Sequence, residues 1–251
     1  MNNFIDLKCD EMGKFEFSEK LKDYLTKIEN ETGRKVRILE SPHLGLKGMW
    51  AGFRYHPDFI IIIIRSGINK PDETLERSIA HEATHGYILF KENYCMAEFD
   101  ESITDNDKRD IQLIFTMVDD IVVNKIIFQN GFMPFGSEYL DVVQKEIDAM
   151  ISGQDFYRQF SDDLLFDDLL MISRYIIAWG FLEYFDLNTE AYELIKKFTA
   201  VFKYSYPMQY RVADEIRQII IKNDIFTSEG HCKAMDEILE LLKFKNLVEI
   251  V

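Results

Sequence analysis

The stretch FIIIIIRSGINKPDETLERSIAHEATHGYILF, residues 59–90, decides the reading of this chain. Its opening run, Phe59 to Ile64, is β-branched almost throughout and far too short to span a bilayer, which predicts a strand covered on both faces. A helix start follows. Asn69 offers an N-cap oxygen, Pro71 falls in the first turn where its missing N–H costs little, and Asp72 and Glu73 place negative charge at the positive end of the helix dipole. The helix is expected over about residues 70–90 and carries His81-Glu82-Ala83-Thr84-His85. Helical residues four apart point the same way, so His81 and His85 can close on one Zn²⁺ at about 2.0–2.1 Å each. Glu82 projects beside the metal. A carboxylate there can take a proton from water whose pKa zinc lowers to about 7 and pass it to a leaving amine. Gly86 leaves room for the close approach of substrate or another helix. The flanks Leu75, Ile79, Ala80, Ala83, Ile88 and Leu89 imply a mostly buried helix, in which two imidazoles and a carboxylate need partners or a metal.

Upstream, residues 17–31 show an apolar stripe at Leu21, Tyr24, Leu25 and Ile28, closed by Gly33, and predict a helix. Residues 35–39 alternate as a strand does, and residues 45–54 read as another, separated from the isoleucine run by His56-Pro57-Asp58. Downstream, a polar loop at 100–108 precedes a long helix over 109–129, ended by Asn130-Gly131. Helices are then expected at 138–152, 162–185, 189–205, 208–222 and 229–245, with breaks at Gly153, Asp186–Asn188, Pro207 and Thr227–Gly230. The fold class is therefore α+β, a small N-terminal sheet with the HExxH helix followed by an all-helical second half. Residues 1–134 form the expected catalytic domain. Residues 135–251 form a helical region packed on it and bordering the cleft.

Composition narrows the partners. With 251 residues, 47% hydrophobic and 29% charged, the chain can bury a full core. A net charge of −15 repels phosphate backbones, and Lys196-Lys197 and the Lys243/Lys245 pair are too small to offset it, so no nucleic-acid partner is expected. Cys9, Cys95 and Cys232 are widely spaced with no CxxC pair, which argues against a disulfide framework and for a reducing compartment. The N-terminus has no basic region followed by an apolar one. Residues 168–185, though apolar, carry Arg174 and Glu183 and read as a buried helix. A cytoplasmic location without a membrane partner is the expectation.

A β-branched strand, a short loop and a helix with HExxHG resemble the zincin metallopeptidases. The resemblance implies that the strand edges the cleft and receives an extended peptide or protein substrate. Metzincins continue HExxHxxGxxH, but Gly-Tyr-Ile-Leu-Phe-Lys follows His85 here, so an acidic third ligand from the next helix is implied, as in gluzincin-like proteins. That helix is strongly apolar over Ile111–Phe128, yet Asp119-Asp120 sit at its centre. Two carboxylates buried mid-helix would cost several kcal/mol each unless paired or metal-bound, whereas an amphipathic helix would carry them on a solvent-facing strip. Thr116, Asp120 and Asn124 make one polar stripe, which favours Asp120 as third ligand, Asp119 as the alternative and Asn124 as the group that orients the carboxylate. Glu98, Asp100 and Glu101 lie nearer in sequence, in a polar segment expected to be exposed. Asp120, Asn124 and Met133-Pro134 also follow an order similar to that of the small cytosolic zincins that cleave repressors. The departures are Asp for the usual Glu, Val123 for the usual Ala and one extra residue before Met-Pro, and the similarity reaches over residues 58–134 at most.

Other chemistry-bearing residues rank lower. His231 and Cys232 could bind metal as a pair, but two residues do not make a site, and His231 reads as a surface histidine. Tyr204, Tyr206, Tyr210 or Arg211 could stabilise an oxyanion. His43 and His56 read as structural. The expected function is a zinc-dependent hydrolase, a peptidase with Glu82 as base. The alternative is a degenerate zincin serving as a regulatory or protein-binding module of a prophage or toxin–antitoxin system.

Overall fold

A helix, Glu19–Thr32 (α1), leads into the strand Lys35–Ser41 (β1); after it come Ala51–Tyr55 (β2) and Phe59–Arg65 (β3). In the computed structural model, which describes residues 16–41, 51–68, 71–99, 103–154 and 164–251, these strands form one sheet in the order β1-β3-β2. β1 runs parallel to β3, with Ile38 opposite Ile62, and β2 runs antiparallel to it, with Phe53 opposite Ile62. The isoleucine run is thus the central strand, and β2 is an edge. Alternation still decides burial: Ile60, Ile62 and Ile64 are fully buried, while Ile61 and Ile63 keep partial access. The expectation of a strand covered on both faces is corrected accordingly. The sheet presents one closed face, as a period of two dictates. Of the second expected strand, 45–54, residues 42–50 lie outside the described residues.

The chain divides into two compact units, residues 1–93 with 126–134, and residues 94–125 with 135–251. In the first, α1 and the helix Glu73–Phe90 (α2) cover the closed face of the sheet. Leu21, Tyr24 and Ile28 of α1, the three buried isoleucines, Leu75, Ile79, Ala80 and Ala83 of α2, and Ile127 and Phe132 form one apolar cluster. Gly33 ends α1 in the left-handed conformation, φ 68°, which glycine adopts without a steric penalty.

The second unit is mostly helical. The three-residue strand Ala97–Phe99 (β4) precedes the long helix Asp105–Gln129 (α3), whose last turn, from Ile126, belongs to the first unit. Then come Ser137–Ser152 (α4), Leu164–Tyr184 (α5), Thr189–Ser205 (α6), Pro207–Asn223 (α7) and Ser228–Leu241 (α8). α6 packs on α4 and α5, and α7 on α5 and α8. Strands are not confined to the first quarter. The C-terminal Val248–Ile250 (β5) pairs antiparallel with β4, a ribbon too short to leave a periodic trace in sequence. The fold is mixed helix and sheet, predominantly helical with small sheets. Among the described residues no helix is long and apolar enough to cross a membrane.

Candidate metal centre

Helix α2 begins later than its sequence suggests. The N-cap is Asp72, whose Oδ1 accepts the Leu75 N–H at 2.8 Å, in place of Asn69. Pro71 disfavours helical backbone at the residue before it, so the next side chain able to cap is Asp72. Asn69 and Lys70 lie outside the described residues. From that cap the helical period assigns faces. Leu75, Ile79, Ala80, Ala83, Thr84, Gly86 and Ile88 are buried, whereas His81, Glu82 and His85 are half-buried. The HExxH side chains therefore retain access to solvent, in contrast to the expected buried set.

Two close contacts lock the buried side. The Thr84 hydroxyl donates to Ala80 C=O at 2.7 Å, and so accepts from the Tyr24 hydroxyl of α1 at 2.6 Å. Burial pushes the Tyr24 phenol up to about 12, keeping it a neutral donor. Gly86 rests against β3: a Cβ there would lie 2.7 Å from Ile60 Cγ2 and 2.8 Å from Cγ1. The room left by this glycine is filled by the sheet rather than by substrate or another helix.

On the open side, His81 Nε2 and His85 Nε2 stand 3.2 Å apart, with the two rings at 71°. Two nitrogens sharing a tetrahedral Zn²⁺ at bond lengths of about 2.0–2.1 Å are separated by about 3.3 Å, so the pair fits a zinc ion. β2 supplies the rest of the surroundings. The Phe53 N–H donates to Glu82 Oε2 at 2.6 Å, and the Phe53 ring lies nearly parallel to His85 at 6.3 Å. Phe53 is the neighbour that sequence reasoning missed. Its role rests on a backbone N–H, which no residue type announces.

The acidic candidates separate in α3. Asp119 Oδ1 lies 2.6 Å from His231 Nε2 within the second unit, which commits that oxygen to the histidine. Asp120, half-buried, is also in the second unit. Its stripe runs from exposed Thr116 to buried Asn124, so it is not a solvent-facing strip throughout. Glu98 is exposed, while Asp100, Glu101, His43 and Cys9 lie outside the described residues. His56 has a turn role, with Nδ1 accepting from the Asp58 N–H at 3.1 Å. Tyr206 packs on Phe202 and Tyr210 edge-on against Tyr175, while Tyr204 is exposed and Arg211 pairs with Glu215. His231 is fully buried, contrary to its reading as a surface residue.

A cleft of about 340 Å³ in the first unit lies at the start of α2, between Ser18, Asp72, Glu76, Arg77 and Met133, away from the histidine pair. No family model, curated protein or solved structure matches the chain.

Proposed function

We propose that the chain is a zinc-dependent peptidase with a zincin-like catalytic centre, in which His81 and His85 hold the metal, Asp120 is the third ligand and Glu82 is the general base. The observation carrying this reading is the 3.2 Å separation of the two Nε2 atoms, with Glu82 next to His81 and likewise half-buried. Zinc, when bound, supplies Lewis acidity and lowers the pKa of a water to about 7. Glu82 would be the group that takes up a proton at its carboxylate and hands it to the departing amine. Asp120 is preferred because neighbouring residues on a helix diverge by about 100°, and Asp119 already serves His231. The free thiols of Cys95 and Cys232 support a reducing, cytoplasmic setting.

The Phe53 N–H suggests how substrate engages this base. β2 is an edge strand, and an extended peptide adding to such an edge binds through main-chain hydrogen bonds. It would compete with Glu82 for the Phe53 N–H and release the carboxylate for proton transfer. The same bond favours a second reading, a protein-binding module in which Glu82 only braces β2.

Glu82→Gln separates the two. For the peptidase, the variant keeps zinc and fold while hydrolysis of a peptide library falls at least about 10²-fold, the low end for a general base. Wild-type chain loaded with zinc but inert towards the library supports the binding module, and a variant that hydrolyses the library as fast as wild type removes Glu82 as the base. Loss of zinc in Glu82→Gln would make Glu82 a ligand and overturn the assigned roles.

A further inference from the structure

We propose that Cys95, His231 and Cys232 form a second metal centre, a thiolate-rich site for Zn²⁺ built wholly within the second unit and separate from the histidine pair on α2. The ligand atoms of the three residues all lie within 4.8 Å of one another, although Cys95 and His231 are 136 positions apart in sequence. Cys95 is fixed by the ribbon that follows it. The Met96 N–H donates to Val251 C=O at 2.9 Å and the Val251 N–H to Met96 C=O at 3.1 Å, so the C-terminal strand holds the thiol in place. His231 closes the first turn of α8, which is capped by the Thr227 hydroxyl at 3.1 Å from the Gly230 N–H, and Cys232 follows it. Gly230 allows that turn to sit on the end of α7, where a Cβ would fall 1.9 Å from Asn223 O.

The orientation of the imidazole carries the assignment. Asp119 Oδ1 lies 2.6 Å from Nε2, so Nε2 bears the proton that the carboxylate accepts. Nδ1 faces Cys95 Sγ at 3.4 Å, where a metal that displaces its proton would find a lone pair. Sulfur and nitrogen bound to one tetrahedral Zn²⁺, at about 2.3 and 2.0–2.1 Å, are separated by about 3.6 Å. A carboxylate on the far ring nitrogen is the usual companion of a metal-bound histidine, fixing its tautomer and raising its basicity. Cys232, half-buried and next to His231 on α8, completes the set of three ligand atoms.

Two other uses of this cluster fit less well. A nucleophilic cysteine with His231 and Asp119 would need a thiol that substrate can reach, yet Cys95 is 7% and His231 0% exposed. Cys95 and Cys232 are free thiols rather than a disulfide. A divalent cation satisfies both sulfurs and the nitrogen together, and the fourth tetrahedral position is left to water.

Cobalt substitution tests the site in the full-length, reduced chain. The histidine pair offers no sulfur, so a near-ultraviolet thiolate-to-cobalt charge-transfer band reports on the cysteine site alone. The band should saturate at one Co²⁺ per chain in the wild type, in His81→Ala/His85→Ala and in Cys9→Ser. It should vanish in Cys95→Ser and Cys232→Ser. Asp119→Asn should keep the band with about 10–100-fold weaker binding, the usual effect of losing the group that orients a ligand. Because Cys95 is buried and its serine variant can fail to fold, the Asp119→Asn titration, at a partly exposed carboxylate, is the second arm. Absence of the band in folded, reduced wild type, its persistence in both serine variants, or unchanged affinity in Asp119→Asn would each overturn the proposal.

Discussion

Replacing Gly86 by alanine would place a methyl group 2.7 Å from Cγ2, 2.8 Å from Cγ1 and 3.1 Å from Cδ1 of Ile60. Real Cβ contacts do not approach so closely, and Ile60 is fully buried in the central strand, so either the isoleucine leaves its rotamer or α2 lifts from the sheet. Overpacking of this kind costs about 1–3 kcal/mol. The substitution also has a favourable side, since alanine is better than glycine inside a helix by about 1 kcal/mol. The net expectation for Gly86→Ala is a destabilisation of about 0–2 kcal/mol.

The background decides the sign. Ile60→Ala alone removes Cγ1, Cγ2 and Cδ1, the three atoms the methyl would meet, at a cost of about 2–5 kcal/mol. In that variant the added methyl enters vacated space, and only the helix-propensity gain of about 1 kcal/mol remains. Gly86→Ala should therefore destabilise the wild type and stabilise Ile60→Ala, giving a coupling of about 1–3 kcal/mol between the two positions. The assay is urea unfolding of the four chains in the presence of chelator, so that metal binding does not add to stability. It is read on the transition that Ile60→Ala shifts, with equal m-values required for comparison. Additivity within about 0.5 kcal/mol, or a Gly86→Ala single variant more stable than wild type, would refute the close approach of α2 to β3.

The remaining predictions concern the anchoring of α2 and its third ligand. Tyr24→Phe removes one hydrogen bond while Thr84 still donates to Ala80 C=O, and should cost about 0.5–1.5 kcal/mol. Thr84→Val should cost more, about 1–3 kcal/mol, because it strands the buried Tyr24 hydroxyl; thermal melts that rank the two the other way would contradict the assigned donor direction. Asp120→Ala should weaken zinc at the histidine pair by at least roughly 10–100-fold and leave the cobalt–thiolate band intact. Competition with a chelating dye that finds wild-type affinity would remove Asp120 as a ligand.

What sequence could reveal here follows from the range of each interaction. The convergence of His81 and His85 is local, set by four residues of helix, and it was readable as spacing. So was the length of α1, because Gly33 closes it with a single residue's backbone preference. The cap at Asp72 was ambiguous, since Asn69 and Asp72 carry the same chemistry and only the constraint of Pro71 on its predecessor distinguishes them. Phe53 was invisible for a different reason: its contribution to Glu82 is a main-chain N–H that any residue except proline would supply. His231 was misread because its sequence neighbours, Ser228, Glu229 and Lys233, are those of an exposed helix start. Its burial comes from the segment of Cys95, held in turn by a strand of three residues at the end of the chain. No periodicity reports a pairing between elements that short and that far apart. Asp119 shows the same limit. A stripe on α3 ranked it below Asp120 as a ligand, yet its partner arrives only with α8: the fully buried His231 finds its acceptor in Asp119.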